Sequence, residues 1–302
     1  MKVGFDLSDY ATDIVEHYKQ ISGIKHLRKA TTPFCPEGSL SVNDWESKGE
    51  LSSQCCSATA KVLWYARLGR PDTMKPTNDR GKQVSKWSIN DDKSIYRLAC
   101  YIESTKDFIL EGYVGDPIWK CKLVLYTDSD FCGEVAHTKS TTGVYLVLVG
   151  DNTWFPLVWV NKTQSSTARS STAAELIALA HGIFLEAIPM MDLFDLIAVD
   201  DQGKRHPFKL EVKEDNQACI QVAKAGYSQK LREFDRIHAD QIQVPGGSSR
   251  LAPDPVGARD RVKKVNLGSL KEVFDKPEFD IDYVDTKEQA ADIFTKALAP
   301  LK

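Results

Sequence analysis

The sequence has no excess of basic residues, and this absence narrows the ways in which the chain could bind nucleic acid. Its 302 residues carry 39 lysines and arginines against 42 acids, a formal net charge of −3. A protein that binds nucleic acid through its overall charge is strongly basic. Any nucleic-acid partner must therefore be held by a local patch of side chains or through metal ions.

The chain also lacks the cysteine patterns of zinc sites and disulfide scaffolds. It has seven cysteines, an odd number, and no two of them are spaced as CxxC. Disulfide scaffolds use even numbers of cysteines, and zinc sites use closely spaced pairs. The pattern indicates reduced cysteines in a cytosolic or nuclear protein.

Long hydrophobic runs and a secretory leader are missing as well. The first twenty residues carry acids and contain no apolar stretch, so no signal peptide is predicted. The longest apolar run, VYLVLV at 144–149, is too short to cross a bilayer. We therefore expect a protein that is not secreted and has no membrane partner.

What the chain does have is an ordinary globular composition, 42% hydrophobic and 27% charged, which suffices for the core of one or two domains. Residues 1–118 are predicted to be mostly helical and 119–302 to form an α/β domain. Apolar residues at helical spacing predict helices at Asp9–Ile21, Ser57–Leu68 and about Trp87–Thr105. Polar linkers are predicted over 31–49 and 75–83, and a short extended piece over 108–113.

Beyond residue 118 the pattern alternates between strands and helices. Strands are predicted at Lys122–Thr127, Gly143–Val149, Trp154–Val160, Phe208–Val212 and Phe279–Val284. Helices are predicted at Ser171–Leu196, Gln217–Ala225, about Leu231–Ile242 and Lys287–Leu298, with Pro189 bending or ending the first of them. This order predicts a mixed five-stranded sheet with helices packed on it. A stretch near 245–260, rich in glycine, proline and serine, is predicted to be a flexible insertion.

Four acids stand at positions that matter in such a fold: Asp128 at the end of the first strand, Glu175 in the first turns of the long helix, Asp215 after the fourth strand, and Asp292 in the last helix. Ligands collect outside the carboxyl ends of parallel strands, so the four side chains could meet there. Clustered carboxylates repel one another unless a cation compensates them, and Mg²⁺ prefers oxygen ligands. Two such ions can stabilise both the attacking water and the leaving oxygen of phosphodiester cleavage.

Each acid also fits a structural role. Asp128 could be a turn residue, and Asp215 could cap the helix that begins near Asn216. Asp292 follows a capping-box pattern at Thr286–Gln289 and could face solvent, and Glu175 could interact with a helix dipole. The set of four, rather than any single member, favours the metal site.

Several motifs together carry a family resemblance. The segments YTDSDFCGEVAHTKSTTGVYLVLVG (126–150), WVNKTQSSTARSSTAAELIALA (159–180), EDNQACIQVAK (214–224) and YVDTKEQAADIFTKAL (283–298) resemble, in order and spacing, the ribonuclease H domain of Copia-type LTR retrotransposon Pol polyproteins. The resemblance covers 119–302. Upstream, SATAKVLWYARLGRPD (57–72) is similar to the segment that links the reverse transcriptase to that domain, so 1–118 is interpreted as a thumb- or connection-like piece.

The resemblance implies a ribonuclease H-like fold and a function. Asp128, Glu175, Asp215 and Asp292 would be the catalytic and metal-binding set, with two Mg²⁺ ions, or Mn²⁺, as cofactors. The reaction would be hydrolysis of the RNA strand of RNA–DNA hybrids in a cytoplasmic retroelement particle or in the nucleus, beside the reverse transcriptase of the same polyprotein. Contacts to the hybrid are predicted for a set of polar residues: Lys139, Ser140, Thr141, Lys162, Gln164, Ser165, Arg169, Asn216 and Gln217.

The chain departs from the ribonuclease H pattern in the insertion predicted near 245–260 and before the last acid. No histidine lies between Tyr283 and Asp292, where many cellular ribonucleases H have one before the last aspartate. An alternative is therefore an inactive or domesticated retroelement remnant that binds nucleic acid without cleaving it. A related fold of the integrase or transposase type also uses clustered carboxylates, but the order of the acids, with a helical glutamate between the first two aspartates, speaks against it.

Overall fold

The computed structural model describes residues 1–131, 139–231 and 265–297, and the structural statements below concern these residues. The chain divides into two compact units. The first comprises Met1–Gly115, Trp159–Asn161 and Asp292–Lys302, and the second comprises Asp116–Val158 and Lys162–Ala291. The insertion predicted at 245–260, and all but the first residue of the helix predicted at about 231–242, lie outside the described residues. The boundary predicted between 118 and 119 stays a prediction.

The first unit is mainly helical. Its longer helices are α1 (Ser8–Ser22), α2 (Cys55–Leu68), α3 (Met74–Lys82) and α4 (Ile89–Ser104), and strand β1 (Lys2–Phe5) pairs antiparallel with β2 (Leu110–Tyr113). Buried apolar side chains of α1, α2 and α4 form one core, which includes Ile14, Tyr18, Val62, Ile95 and Leu98. Sequence periodicity predicted these three helices because each presents a continuous apolar face.

Helix α3 corrects the prediction of a polar linker over 75–83. It contains almost no apolar residues, so periodicity could not reveal it. The helix is held by polar contacts instead. The Lys75 ammonium pairs with the Asp79 carboxylate at 3.1 Å, the Thr77 hydroxyl donates to the Thr73 carbonyl, and the Asn78 amide donates to Asn161. The first two contacts are local, whereas the third joins residues 83 positions apart, which the local sequence pattern could not reveal.

The second unit contains a mixed sheet. Its strands are β3 (Lys122–Asp130), β4 (Thr141–Gly150), β5 (Thr153–Thr163), β6 (Leu210–Glu214) and β7 (Phe279–Tyr283), in the order β5-β4-β3-β6-β7. Strand β4 runs antiparallel to β3, whereas β6 and β7 continue the sheet in parallel with it. The α/β class and the mixed sheet are confirmed. The described residues contain seven strands in all, whereas the prediction of five did not include β1 and β2 of the first unit.

Helices accompany this sheet. Helix α5 (Ser171–His181) continues through a π-helical segment, Gly182–Ala187, into α6 (Ile188–Ile197), and α7 (Gln217–Ala225) follows β6. Pro189 does not end the helix, because it stands in the first turn of α6. Helix α8 (Leu267–Phe274) was not predicted. The terminal helix predicted over 287–298 is wrong in extent: a 3₁₀ turn, Thr286–Glu288, precedes the short helix α9 (Asp292–Thr295), which belongs to the first unit.

The continuous helical stretch Ser171–Ile197 is long and apolar enough to cross a membrane by length and composition alone, and 39% of its most apolar window is buried in the protein. The core helix of a protein without a membrane meets the same two criteria. The expectation of no membrane partner was based on unbroken apolar runs only and stays a prediction.

Gly182 sets how closely this helix approaches the sheet. A Cβ atom there would lie 2.9 Å from Thr127 Cγ2 and 3.2 Å from Leu125 Cδ2, both on β3. We expect Gly182→Ala to lower the free energy of unfolding by about 1–3 kcal/mol, because overpacking outweighs the better helix propensity of alanine.

The matched control is Gly81→Ala, also in a helix, where the added Cβ would meet nothing closer than Thr59 Cγ2 at 3.7 Å. This variant is expected to be neutral or to stabilise by up to about 1 kcal/mol. Urea unfolding of both variants measures the contrast. Equal effects would show that helix propensity, and not the helix–strand distance, controls the result.

Candidate functional site

Three of the four predicted acids are placed by neighbouring elements of the second unit. Asp128 was predicted at the end of the first strand; it lies within β3, opposite Gly143 of β4, because the strand continues to Asp130. Asp215 directly follows β6, whose parallel pairing with β3 brings both acids to the same edge of the sheet. Glu175 lies in α5, which begins at the N-cap Ser170, whose hydroxyl accepts from the Ala173 N–H at 3.1 Å.

These three side chains meet. One carboxylate oxygen from each of Asp128, Glu175 and Asp215 lies within 4.8 Å of the other two. Asp128 is 2% exposed and Glu175 6% exposed, while Asp215 is half-buried and accepts a hydrogen bond from the Thr286 hydroxyl at 2.9 Å. Negative charge is thus concentrated at one end of the sheet, largely away from water.

Asp292 has a different setting. It begins α9 in the first unit, and its carboxylate pairs with the Lys296 ammonium at 2.6 Å. Its participation in the site stays a prediction.

Burial and mutual repulsion control the ionisation of the cluster. The pKa of Glu175 is raised to about 10, mainly by loss of solvation and in addition by the nearby charges of Glu214, Asp128 and Asp215. Burial also raises the pKa of Glu214 to about 8, against hydrogen bonds from Thr127 and the Asn216 N–H that favour its ionised form. Four carboxyl groups in this space cannot all ionise without a compensating cation.

Glu214 is a member of the site that sequence reasoning missed. Its side chain is fully buried and bridges two strands: the Thr127 hydroxyl donates to one carboxyl oxygen at 3.0 Å, and the Asn216 N–H donates to the other at 3.1 Å. Thr127 precedes Asp128, and Glu214 and Asn216 flank Asp215. Glu214 therefore connects the backbones that carry two of the three clustered acids. Its adjacency to Asp215 was the only signal in the sequence.

Gln289 is the second residue that was missed. The predicted capping box is wrong, because Asp285 caps the 3₁₀ turn by accepting from the Lys287 N–H at 2.9 Å. The buried amide of Gln289 instead donates to the Thr127 carbonyl at 3.0 Å and to the Lys213 carbonyl at 3.4 Å. One side chain thus joins the ends of β3 and β6 beside the acids.

The three clustered acids suit a hard divalent cation. All of their donors are carboxylate oxygens, the ligands that Mg²⁺ and Mn²⁺ prefer. In addition, the buried Glu175 Oε2 has no hydrogen-bond partner within the described part of the chain. Buried polar atoms are normally paired, so this oxygen is available to a ligand. Asp128, Glu175 and Asp215 are the residues that would hold an ion.

The residues predicted to contact nucleic acid separate into exposed and buried groups. The exposed ones are Lys139, Lys162, Ser165, Arg169 and Gln217. The buried ones are Ser140, Thr141 and Gln164. The Gln164 amide donates to the Ala174 carbonyl at 2.9 Å and so fixes the loop that leads into α5, and the half-buried Asn216 caps α7 through the Cys219 N–H. Burial argues against direct contacts for the buried three; a role for the exposed five stays a prediction.

No family model matches the chain, and the known proteins similar to it include two with partial similarity. The chain is 28% identical over 124 residues to Secreted RxLR effector protein 161 of Plasmopara viticola, which covers 41% of this chain and 82% of that protein. It is 27% identical over 173 residues to the retrovirus-related Pol polyprotein from transposon TNT 1-94 of Nicotiana tabacum, over 54% of this chain and only 12% of that polyprotein. The second similarity is consistent with a retrotransposon origin.

Proposed function

We propose that the chain is a fragment of a Copia-type retrotransposon Pol polyprotein whose second unit is a metal-dependent ribonuclease H, cleaving the RNA strand of RNA–DNA hybrids. The convergence of Asp128, Glu175 and Asp215 within 4.8 Å carries the proposal. The partial similarity to a Pol polyprotein supports the origin. Asp292 is proposed as the fourth acid, on the family resemblance alone.

The roles of the chain's own residues follow from their placement. Bound Mg²⁺ ions, two in number by the resemblance, would supply charge stabilisation at the scissile phosphate and lower the pKa of the attacking water. The carboxylate oxygens of Asp128 and Asp215 are held close together because Asp128 lies in β3 and Asp215 directly follows the adjacent parallel strand β6. Glu175 approaches from α5, and its burial keeps bulk water from competing for the site.

The substrate and the partners are part of the same proposal. The exposed Lys139, Lys162 and Arg169 are proposed to contact phosphates of the hybrid, since such contacts position a nucleic acid without reading its sequence. The reverse transcriptase of the same polyprotein is the proposed neighbour. The proposed location is a cytoplasmic retroelement particle or the nucleus.

The test is cleavage of an RNA–DNA hybrid labelled on the RNA strand, by the full chain, with Mg²⁺ or Mn²⁺ and with EDTA. We expect metal-dependent products from the wild type and none above background from Asp215→Asn, whose side chain keeps its size and loses its charge. Asp201→Asn, at an exposed turn of the same unit, is the control for loss of one acid and should cleave normally. Cleavage that persists in Asp215→Asn would contradict the proposal.

A second candidate is a nucleic-acid-binding module without turnover. The similarity to Secreted RxLR effector protein 161 favours it, because that relative is named as an effector and not as a nuclease. Hybrid binding without cleavage, unchanged by Asp215→Asn, would support this candidate over the first.

A further inference from the structure

A polar groove in the first unit lies apart in the sequence from the acids of the second unit. It has a volume of about 470 Å³ and is lined on one side by residues 45–48 and 52–53 and on the other by residues 84–87. We call it the Trp45 groove, after the aromatic residue in its wall. Its volume lies within the range of small-molecule sites and suits one or two nucleotides rather than a folded partner.

The groove is held open by fixed contacts between its two walls. The Gly49 N–H donates to the Trp87 carbonyl at 3.1 Å, and the Ile89 N–H donates to the Ser47 carbonyl at 3.0 Å. The Asp92 carboxylate accepts from the Trp87 indole at 2.6 Å and from the Glu50 N–H at 2.6 Å, and so connects both walls. These hydrogen bonds fix the positions of the two walls relative to each other and so determine the shape of the groove.

Two lysines in the groove are free to bind an anion. Seven lysines of the first unit pair with acids: Lys2, Lys19, Lys61, Lys75, Lys82, Lys93 and Lys106. Lys48 and Lys86 line the groove, are exposed, and have no acidic partner among the residues that the structure describes. Glu46 is the one acid in the lining, and Glu50 and Asp92 lie beside it, so binding of an anion depends on these two lysines and not on an excess of positive charge.

The aromatic wall supplies a second kind of contact. Trp45 is 44% exposed, and the Arg80 guanidinium lies 5.9 Å from its ring centroid. Arg80 is in turn paired with the buried carboxylate of Asp91, which limits the movement of the guanidinium. The indole is thus supported by a fixed cation and remains accessible to a planar ligand.

We propose that the Trp45 groove binds single-stranded nucleic acid, with one base stacked on Trp45 and phosphates bound by Lys48 and Lys86. Aromatic platforms next to cations are how proteins bind single strands without sequence preference. A duplex would not suit the groove, because its bases are already stacked and paired. The serines of the lining, Ser47, Ser52, Ser53 and Ser85, add hydroxyl donors for phosphate or sugar oxygens. This site is independent of the proposed nuclease.

The test is fluorescence anisotropy of a labelled oligothymidylate with the full chain, in EDTA and low salt, so that a metal at the carboxylates contributes nothing. We expect Lys48→Glu with Lys86→Glu to weaken binding at least about tenfold and to reduce its salt dependence. The matched control is Lys25→Glu with Lys29→Glu, which makes the same charge change at exposed positions of the same unit. Trp45→Ala should weaken binding about tenfold, and Trp45→Phe should restore most of the loss.

Three outcomes would overturn the proposal. Equal weakening by both lysine pairs would show that only net charge matters. If Trp45→Ala has the same melting temperature as the wild type and binds the oligonucleotide as tightly, the proposed stacking of a base on Trp45 is wrong. Displacement of the oligonucleotide by a mononucleotide at similar concentration, or by an acidic peptide, would assign the groove to a different ligand.

Discussion

Glu175→Gln is expected to lower metal-dependent hybrid cleavage by about three orders of magnitude and, at the same time, to stabilise the metal-free protein above about pH 6. The loss of cleavage follows from removing one of three converging ligand carboxylates, a change of several kcal/mol in transition-state stabilisation. The gain in stability follows from the same side chain, because its charge is unfavourable where it lies.

The sign of the pH dependence comes from the direction of the pKa shift. The pKa of Glu175 is raised to about 10 in the folded protein, from an ordinary value of 4.5. Between these values the folded protein retains a proton that the unfolded chain has released, so the free energy of unfolding falls as the pH rises. Glutamine has no such proton. The variant should be more stable by about 1–3 kcal/mol near pH 8, with no difference below about pH 4.

Urea unfolding of both proteins in EDTA across this pH range measures the effect. Asp192→Asn is the control, since Asp192 lies exposed on the same continuous helix, outside the cluster. It should leave the pH dependence of the wild type unchanged. If the free energy of unfolding changes with pH equally in the wild type and in Glu175→Gln, the Glu175 carboxyl is ionised in the folded protein and the expected effect is wrong. Added Mg²⁺ should stabilise the wild type and not Glu175→Gln.

Sequence periodicity predicted the elements that bury a continuous apolar face. Helix α7 agrees with its prediction because its apolar residues follow the helical period, whereas β3 was predicted from an unbroken apolar run and extends to Asp130, beyond the predicted Thr127. Asp215 lies directly after β6, close to where the predicted strand placed it, because the residue that follows a strand lies at the end of the sheet. The convergence of Asp128 and Asp215 required more, namely that β3 and β6 be parallel neighbours, a condition that the sequence left open and the structure meets.

What could not be predicted depends on contacts between distant residues. Helix α3 has no apolar face, and its stability depends on polar partners that the sequence does not identify. Glu214 is one of many acids in the sequence, and only the packing of Thr127 against it shows that it is buried and bridges two strands. The same holds for Gln289, whose partners lie 162 and 76 residues away.

Gln289→Leu is expected to weaken Mn²⁺ binding by about 10–100-fold without unfolding the protein. Leucine has nearly the same volume but cannot donate to the carbonyls of Thr127 and Lys213, which lie 3.0 and 3.4 Å from the amide nitrogen. The ends of β3 and β6 then lose the connection that fixes the spacing of Asp128 and Asp215. Residues that orient metal ligands from behind have effects of this size on affinity.

Electron paramagnetic resonance of free Mn²⁺ gives the dissociation constant without requiring activity. Urea unfolding in EDTA measures a separate effect: the free energy of unfolding should fall by about 1–3 kcal/mol, because two buried carbonyls lose their hydrogen-bond donor. Gln202→Leu, at an exposed turn of the same unit, is the control and should bind Mn²⁺ like the wild type. A folded Gln289→Leu protein with unchanged Mn²⁺ affinity would show that Gln289 stabilises the sheet edge without positioning the acids. Wild-type protein that binds no Mn²⁺ would instead contradict the metal site itself, so the two failures are distinguishable.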